Sequence, residues 1–143
     1  MAVKAYDCII IGGGTAGYGA GIYSARANMS TLCIAGAKES SLMLANEIED
    51  YPGFPDGIKG CELLKLIRKQ AEKFGVHIIG EDVTKVNFGK KPFEVFTGDM
   101  KYSAKTVIIA TGASPKLLDI PSEKKFWGRG VSTCAVCDGG LFK

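Results

Sequence analysis

The sequence predicts an α/β fold: a parallel sheet layered with helices and carrying a small antiparallel β-meander. Three observations predict it. An apolar run, Cys8-Ile9-Ile10-Ile11, ends in the glycines Gly12-Gly13-Gly14, and an alanine-rich segment leads from them to a second apolar run near residue 31. Residues 60–74 place apolar side chains at helical spacing. Between residues 82 and 104, short β-branched runs alternate with turn residues.

Each element has its own reason. Residues 6–11 read as a buried strand, being a short continuous apolar run bounded by glycine. Residues 15–28 read as a helix. Gly17, Gly19 and Gly21 would each cost a free helix roughly 1 kcal/mol, so they imply a face packed closely on a sheet or beneath a ligand. Residues 31–35 form a second buried strand, and strand, glycine turn, helix and strand within about 30 residues make a βαβ unit.

Residues 37–55 are irregular and end in the turn-rich Tyr51-Pro52-Gly53-Phe54-Pro55. In the helix over 60–74, Leu63, Leu64, Ile67, Ala71 and Phe74 keep one face apolar, with Lys65, Arg68, Lys69 and Lys73 elsewhere on its surface. A third parallel strand falls at 76–79. Residues 82–88, 93–97 and 101–104 make the meander, turning at Gly89-Lys90-Lys91 and Gly98-Asp99. Residues 106–110 form a fourth buried strand, followed by Thr111-Gly112-Ala113. Pro115 and Pro121 then bracket a linker.

At 143 residues the chain is long enough for one domain with its own core. It is 46% hydrophobic and 23% charged, the balance of a soluble globular protein. The net charge is only +3 and the lysines are scattered, so neither nucleic acid nor membrane is expected as a partner. The apolar run at residues 8–11 is too short for a signal-peptide core or a membrane span, which makes the cytoplasm the expected compartment. Five cysteines, an odd number spread through core-forming sequence, do not resemble a secreted disulfide framework.

Two motifs carry chemistry. Gly12, Gly14 and Gly17 have the G-x-G-x-x-G spacing after a strand and at the opening of a helix, the context in which such a loop holds a dinucleotide pyrophosphate. The first glycine makes the turn, the second lets backbone approach the phosphates, and the third lets helix and strand pack. The helix amino terminus adds free N–H groups and partial positive charge. The acidic residue expected about 20 positions on, to hold a ribose, is missing: the second strand ends Ile34-Ala35-Gly36, with Glu39 nearby.

The second motif is Cys134-Ala135-Val136-Cys137-Asp138. A C-x-x-C pair can close an easily reduced disulfide, and one of its thiols often ionises readily. The thiolate is the attacking species in disulfide exchange. Asp138 is placed to give or take the proton of a departing thiolate. Structural zinc, the other use of such a pair, needs four ligands. There is no second pair, and the single histidine, His77, falls in an expected strand, so no metal site is assigned. Cys8, Cys33 and Cys61 read as small buried hydrophobes.

Further segments stand in order between the two motifs: Ala16-Gly17-Tyr18, Ile22-Tyr23-Ser24-Ala25-Arg26-Ala27-Asn28, Glu47-Ile48-Glu49-Asp50-Tyr51-Pro52-Gly53-Phe54, Ala110-Thr111-Gly112-Ala113-Ser114 and Trp127-Gly128-Arg129-Gly130-Val131-Ser132. With the glycine loop and the cysteine pair, they make the chain resemble the low-molecular-weight thioredoxin reductases of bacteria and fungi.

The resemblance implies a Rossmann-like FAD-binding fold, incomplete at the C-terminus. Its first part would span residues 1–114, a linker 115–121, and the start of an NADPH domain 122–143. Electrons would run from NADPH to FAD, to a Cys134–Cys137 disulfide, and on to thioredoxin. Carried onto this chain, Cys137 would lie nearest the flavin, Cys134 would attack the disulfide of thioredoxin, and Asp138 would protonate the thiolate. Gly12, Gly13, Gly14, Thr15, Ala16 and Gly17 would line the FAD, with Ala35, Gly36, Ser41, Asp50, Val83, Ala110, Thr111 and Gly112.

The resemblance also implies a homodimer. Thr15 stands where the family has proline and can cap the helix. Glu39-Ser40-Ser41 replaces a Gly-Gly-Gln, and Asp50 replaces an asparagine. The NADPH site belongs to a segment beyond this chain, so the chain is expected to be a fragment, inactive alone, with apolar sheet surface uncovered. A related flavin disulfide reductase serving a peroxidase and a truncated, non-catalytic FAD-binding remnant stay open as alternatives.

Overall fold

The computed structural model describes residues 4–38 and 40–141. The chain divides after Gly112 into two compact units. In the first, Lys4–Ile11 (β1) leads through the glycines into helix Thr15–Arg26 (α1) and strand Thr31–Ile34 (β2). A 3-10 turn at Ser41–Leu44 and a long loop precede helix Gly60–Lys73 (α2). Strands His77–Ile79 (β3), Lys85–Asn87 (β4), Phe93–Thr97 (β5) and Met100–Ile109 (β6) follow. All six strands join one sheet in the order β3-β2-β1-β6-β5-β4, parallel from β3 to β6 and antiparallel from β6 to β4.

The apolar run of β1 fills both faces of this sheet, because successive side chains of a strand point to opposite sides. Cys8 and Ile10 join Cys33, Val76, Tyr18 of α1, and Leu63, Ile67 and Ala71 of α2 in one cluster. Ile9 and Ile11 face the other way, with Leu32, Ile34, Val95, Tyr102 and Ala104. Each fully buried Leu, Ile or Val among them contributes about 1.5–3 kcal/mol of transfer free energy. The helical glycines let α1 sit low on the first cluster. A Cβ on Gly21 would stand 3.2 Å from a Val76 methyl, whereas Gly19 faces open space.

Four expectations need correction. The strands expected at 101–104 and 106–110 are one continuous strand, β6, which pairs parallel with β1 and antiparallel with β5. Its carboxyl half is not buried: Ile109 is 66% exposed, since β5 pairs only as far as Ala104 and leaves that edge open among the described residues. The strand expected over 82–88 is confined to Lys85–Asn87, the part opposite Glu94–Phe96. Thr15 does not cap α1; Gly14 holds the cap position, and no side chain bonds the first turn.

The second unit opens with an extended segment and carries only short helices, Glu123–Phe126 (α3) and Ala135–Asp138 (α4), and a 3-10 turn at Gly139–Leu141. Among its described residues only Glu123 is buried. Its carboxylate accepts the N–H groups of Leu118 and Asp119 at 2.9–3.0 Å, which folds the extended segment back on α3.

Candidate functional site

The glycine loop lies at the carboxyl ends of the parallel strands, where open α/β sheets bind ligands. Backbone hydrogen bonds lock it there: Gly12 N–H donates to the Ile34 carbonyl (2.8 Å), Gly13 N–H to that of Ala35 (3.1 Å), and Ala110 N–H to that of Ile11 (2.8 Å). The glycines have separate tasks. At φ +118°, Gly12 adopts a backbone region that favours glycine, and a Cβ there would stand 2.1 Å from the Ala110 carbonyl oxygen. A Cβ on Gly13 would strike Ala35, and one on Gly17 would strike the Gly12 carbonyl oxygen at 1.9 Å.

Gly14 differs. Its Cβ would meet only the Ser40 hydroxyl oxygen, at 3.4 Å. What Gly14 preserves is therefore space in front of the first turn of α1. That turn has no capping side chain and no acidic residue, so its N–H groups remain available to an anion. The cradle fits the pyrophosphate of a dinucleotide: open space, backbone donors and one hydroxyl.

Around it the structure gathers Gly12, Gly13, Gly14, Thr15, Ala16 and Gly17 with Ala35, Gly36 and Ala110. Thr111 and Gly112 continue from Ala110 on the exposed side. Gly36 N–H donates to the Glu81 carbonyl at 3.1 Å, and the Asp82 carboxylate accepts the Ala37 N–H at 2.9 Å, so the segment after β2 is tied to the loop carrying Val83. Val83 itself packs against the second apolar cluster. Ser41 opens the 3-10 turn, which rests on α2 because Gly60 leaves room for the Leu42 carbonyl.

It is Ser40, not Ser41, whose hydroxyl faces Gly14, whereas sequence reading named Ser40 only within Glu39-Ser40-Ser41 and gave the cofactor contact to Ser41. Asp50 stands on a separate loop bridged by Ile48 and Ile58, with no hydrogen bond to the glycine loop among the described residues. Glu39 lies outside the described residues.

In the second unit Cys134 and Cys137 are disulfide-bonded, with Cα atoms 5.3 Å apart. Cys134 occupies the amino-terminal cap of α4, and its Sγ accepts the Cys137 N–H at 3.2 Å. Asp138 is half-buried, and its Oδ2 accepts a hydrogen bond from the Ser132 hydroxyl. The same hydroxyl accepts the Cys134 N–H at 2.9 Å. Ser132 is a second residue to which sequence reading gave no role.

The other thiols are placed for packing. Burial pushes the Cys33 thiol up to about 11, and it raises the Cys8 thiol as well. Cys61 is half-buried near the start of α2. His77 accepts or donates a 2.9 Å hydrogen bond with the Tyr6 hydroxyl across the sheet. Among the described residues, no three His, Cys, Asp or Glu side chains form a cluster that could hold a metal ion. No helix among them is long and apolar enough to cross a membrane.

The model of the pyridine nucleotide-disulphide oxidoreductase family matches residues 6–142. The chain belongs to that family. As a pyridine nucleotide-disulphide oxidoreductase it is 48% identical over 142 residues to the thioredoxin reductase of Buchnera aphidicola from Acyrthosiphon pisum, covering 99% of this chain and 44% of that protein. It is 44% identical to NADPH-dependent thioredoxin reductase 3 of Arabidopsis thaliana, over 96% of this chain and 27% of that one. Among solved structures, thioredoxin reductase from Streptococcus pyogenes superimposes with a TM-score of 0.85 at 42% identity, over 99% of this chain and 46% of that one. The chain thus spans less than half the length of these relatives.

Proposed function

We propose that this chain is the amino-terminal portion of an FAD-dependent thioredoxin reductase, which carries electrons from NADPH to the disulfide of thioredoxin. The observation that carries this reading is the Cys134–Cys137 disulfide with Asp138 directly after it. The likeness to relatives that bear the name thioredoxin reductase supports it. FAD, when bound, supplies two-electron transfer between a nicotinamide and a disulfide.

Everything else falls to the chain's own residues. The first turn of α1 would hold the pyrophosphate with backbone N–H groups, and Gly14 would keep that approach open. Ala35, Gly36, Val83 and residues 110–112 would line the remainder of the cofactor. In the reduced pair, the Cys134 thiolate attacks the partner disulfide and forms a mixed disulfide. Cys137 then attacks the Cys134 sulfur, freeing the partner's second thiol and restoring the S–S bond. Asp138 supplies the proton that the departing thiolate takes up. The same reading makes the protein cytoplasmic and homodimeric.

The test uses the chain pre-reduced and mixed with oxidised thioredoxin. Cys137→Ser should accumulate a covalent mixed disulfide through Cys134, and Cys134→Ser should form none. No trapped species with either variant would overturn thioredoxin as the partner. Flavin fluorescence supplies the cofactor arm. FAD should be quenched on binding the wild-type chain and at least about tenfold less tightly held by Gly14→Val, whose side chain fills the approach to the pyrophosphate. Equal affinity would overturn the cradle.

A further inference from the structure

We propose that Ser132 is a positioning residue that clamps Asp138 to Cys134, so that the carboxyl group serves the Cys134 sulfur rather than that of Cys137. The proposal rests on the redox reading of the pair and deepens it. Ser132 stands outside α4 and reaches both ends of it. Its oxygen accepts the Cys134 N–H at 2.9 Å, and its one hydroxyl proton has two acceptors within reach: Asp138 Oδ2 and the Cys134 carbonyl at 3.3 Å. A hydrogen bond to a carboxylate is shorter and about twice as strong as one to a neutral carbonyl. The proton therefore goes to Asp138.

Helical spacing points the same way. Asp138 N–H donates to the Cys134 carbonyl at 3.0 Å, an i to i+4 relation. Side chains four apart on a helix are neighbours, whereas adjacent ones point apart. Asp138 and Cys137 are adjacent. Asp138 thus lies one turn beyond the Cys134 cap, and the Ser132 bridge ties its carboxylate to the Cys134 backbone. Among the described residues no Lys, Arg or His forms an ion pair with Asp138.

The division of labour follows. A dithiol reductant attacks Cys137, the more exposed residue of the pair. The S–S bond breaks, its electron pair stays on Cys134, and the Asp138 carboxylate relays a proton from solvent to that sulfur, ending ionised as it began. The reductant's second thiolate then displaces Cys137, which takes its proton from solvent. The reductant leaves as a cyclic disulfide, and the protein has gained two electrons and two protons. Without Ser132, Asp138 swings away from the sulfur it serves.

The experiment measures the rate at which dithiothreitol reduces the Cys134–Cys137 disulfide in the chain, by rapid quench and thiol counting at fixed pH. Ser132→Ala and Asp138→Asn should each slow reduction about tenfold, part of the usual general-acid contribution. Ser132→Thr, which keeps the hydroxyl, should restore the rate to within about twofold. In the Asp138→Asn background, Ser132→Ala should cause no further loss, because the two residues act as one device.

A wild-type rate in Ser132→Ala, or an equal loss with and without Asp138, would overturn the proposal. If Ser132→Ala fails to fold, Ser132→Thr and Ser132→Val decide, being alike in shape and different only in the hydroxyl. Equal rates for that pair overturn the clamp, and a slow valine variant supports it. The assay needs neither flavin nor a partner protein. A chain that is reduced normally but traps no thioredoxin would sink the reductase reading and leave the clamp standing.

Discussion

Up to Gly112 the chain buries two apolar clusters on the faces of a six-stranded sheet. From Ala113 onward the one buried residue among those described is a glutamate. The first unit is held by area removed from water. The second is held by a carboxylate under two backbone N–H groups, a disulfide and the Ser132 hydroxyl. A segment this short cannot enclose an apolar core of its own, and Val136, between the two cysteines, is 91% exposed. The difference matches the two tasks. The proposed cofactor cradle would need backbone fixed to a fraction of an ångström, whereas a sulfur pair proposed to meet another protein would have to stay at the surface.

If that contrast is right, the two units should break separately. The largest effect is expected at Leu63, buried between α2 and the sheet. Leu63→Ala should cost the first unit about 2–5 kcal/mol through lost transfer energy and the cavity left behind, read by thermal melting followed by circular dichroism. A loss below about 1 kcal/mol would mean that the cluster is not what holds the sheet.

Glu123→Ala comes next. It removes the acceptor for the Leu118 and Asp119 N–H groups and should cost about 1–3 kcal/mol, confined to the second unit. Hydrogen exchange should speed up over residues 113–141 while the amides of β1 and β2 keep their protection. Faster exchange in both would show that the units do not unfold independently.

The smallest effect is expected at Asp7. Its carboxyl is held well below the usual carboxylate range by the Lys105 ammonium group and by the hydroxyl and N–H of Ser30. Folding therefore favours its ionised form. The stabilisation is complete above the unfolded carboxylate's titration near about pH 4 and fades as the pH falls below it. Asp7→Asn should melt slightly below wild type at neutral pH, and the gap should close in acid. A gap that persists in acid would assign the effect to packing instead of charge.

Much of this was legible in the sequence, for physical reasons. The buried run of β1, the glycine turn and the amphipathic α2 each impose a pattern along the chain that needs no knowledge of neighbours. What was hidden depends on distance in space. Lys105 makes β6 look like two short strands, yet it is tolerated within one because it pairs with Asp7. Ser40 matters because folding sets its hydroxyl against Gly14. Ser132 left a faint local trace, a serine two residues ahead of a helix cap, which is a turn-forming position. No local pattern marks Glu123 as the buried residue of its unit.

The pairing of β1 with β6 has a consequence for synthesis. Thr106 takes its place beside β1 by bonding the Asp7 carbonyl, 99 positions earlier in the chain, and the floor under Gly12 is the carbonyl of Ala110. On a ribosome the glycine turn emerges first and must wait for nearly the whole unit before that floor arrives. A closure this distant is slow and entropically costly. The nascent chain therefore leaves the apolar strand β1 without its β6 neighbour until Ala110 has emerged, and until then the proposed cradle lacks its floor.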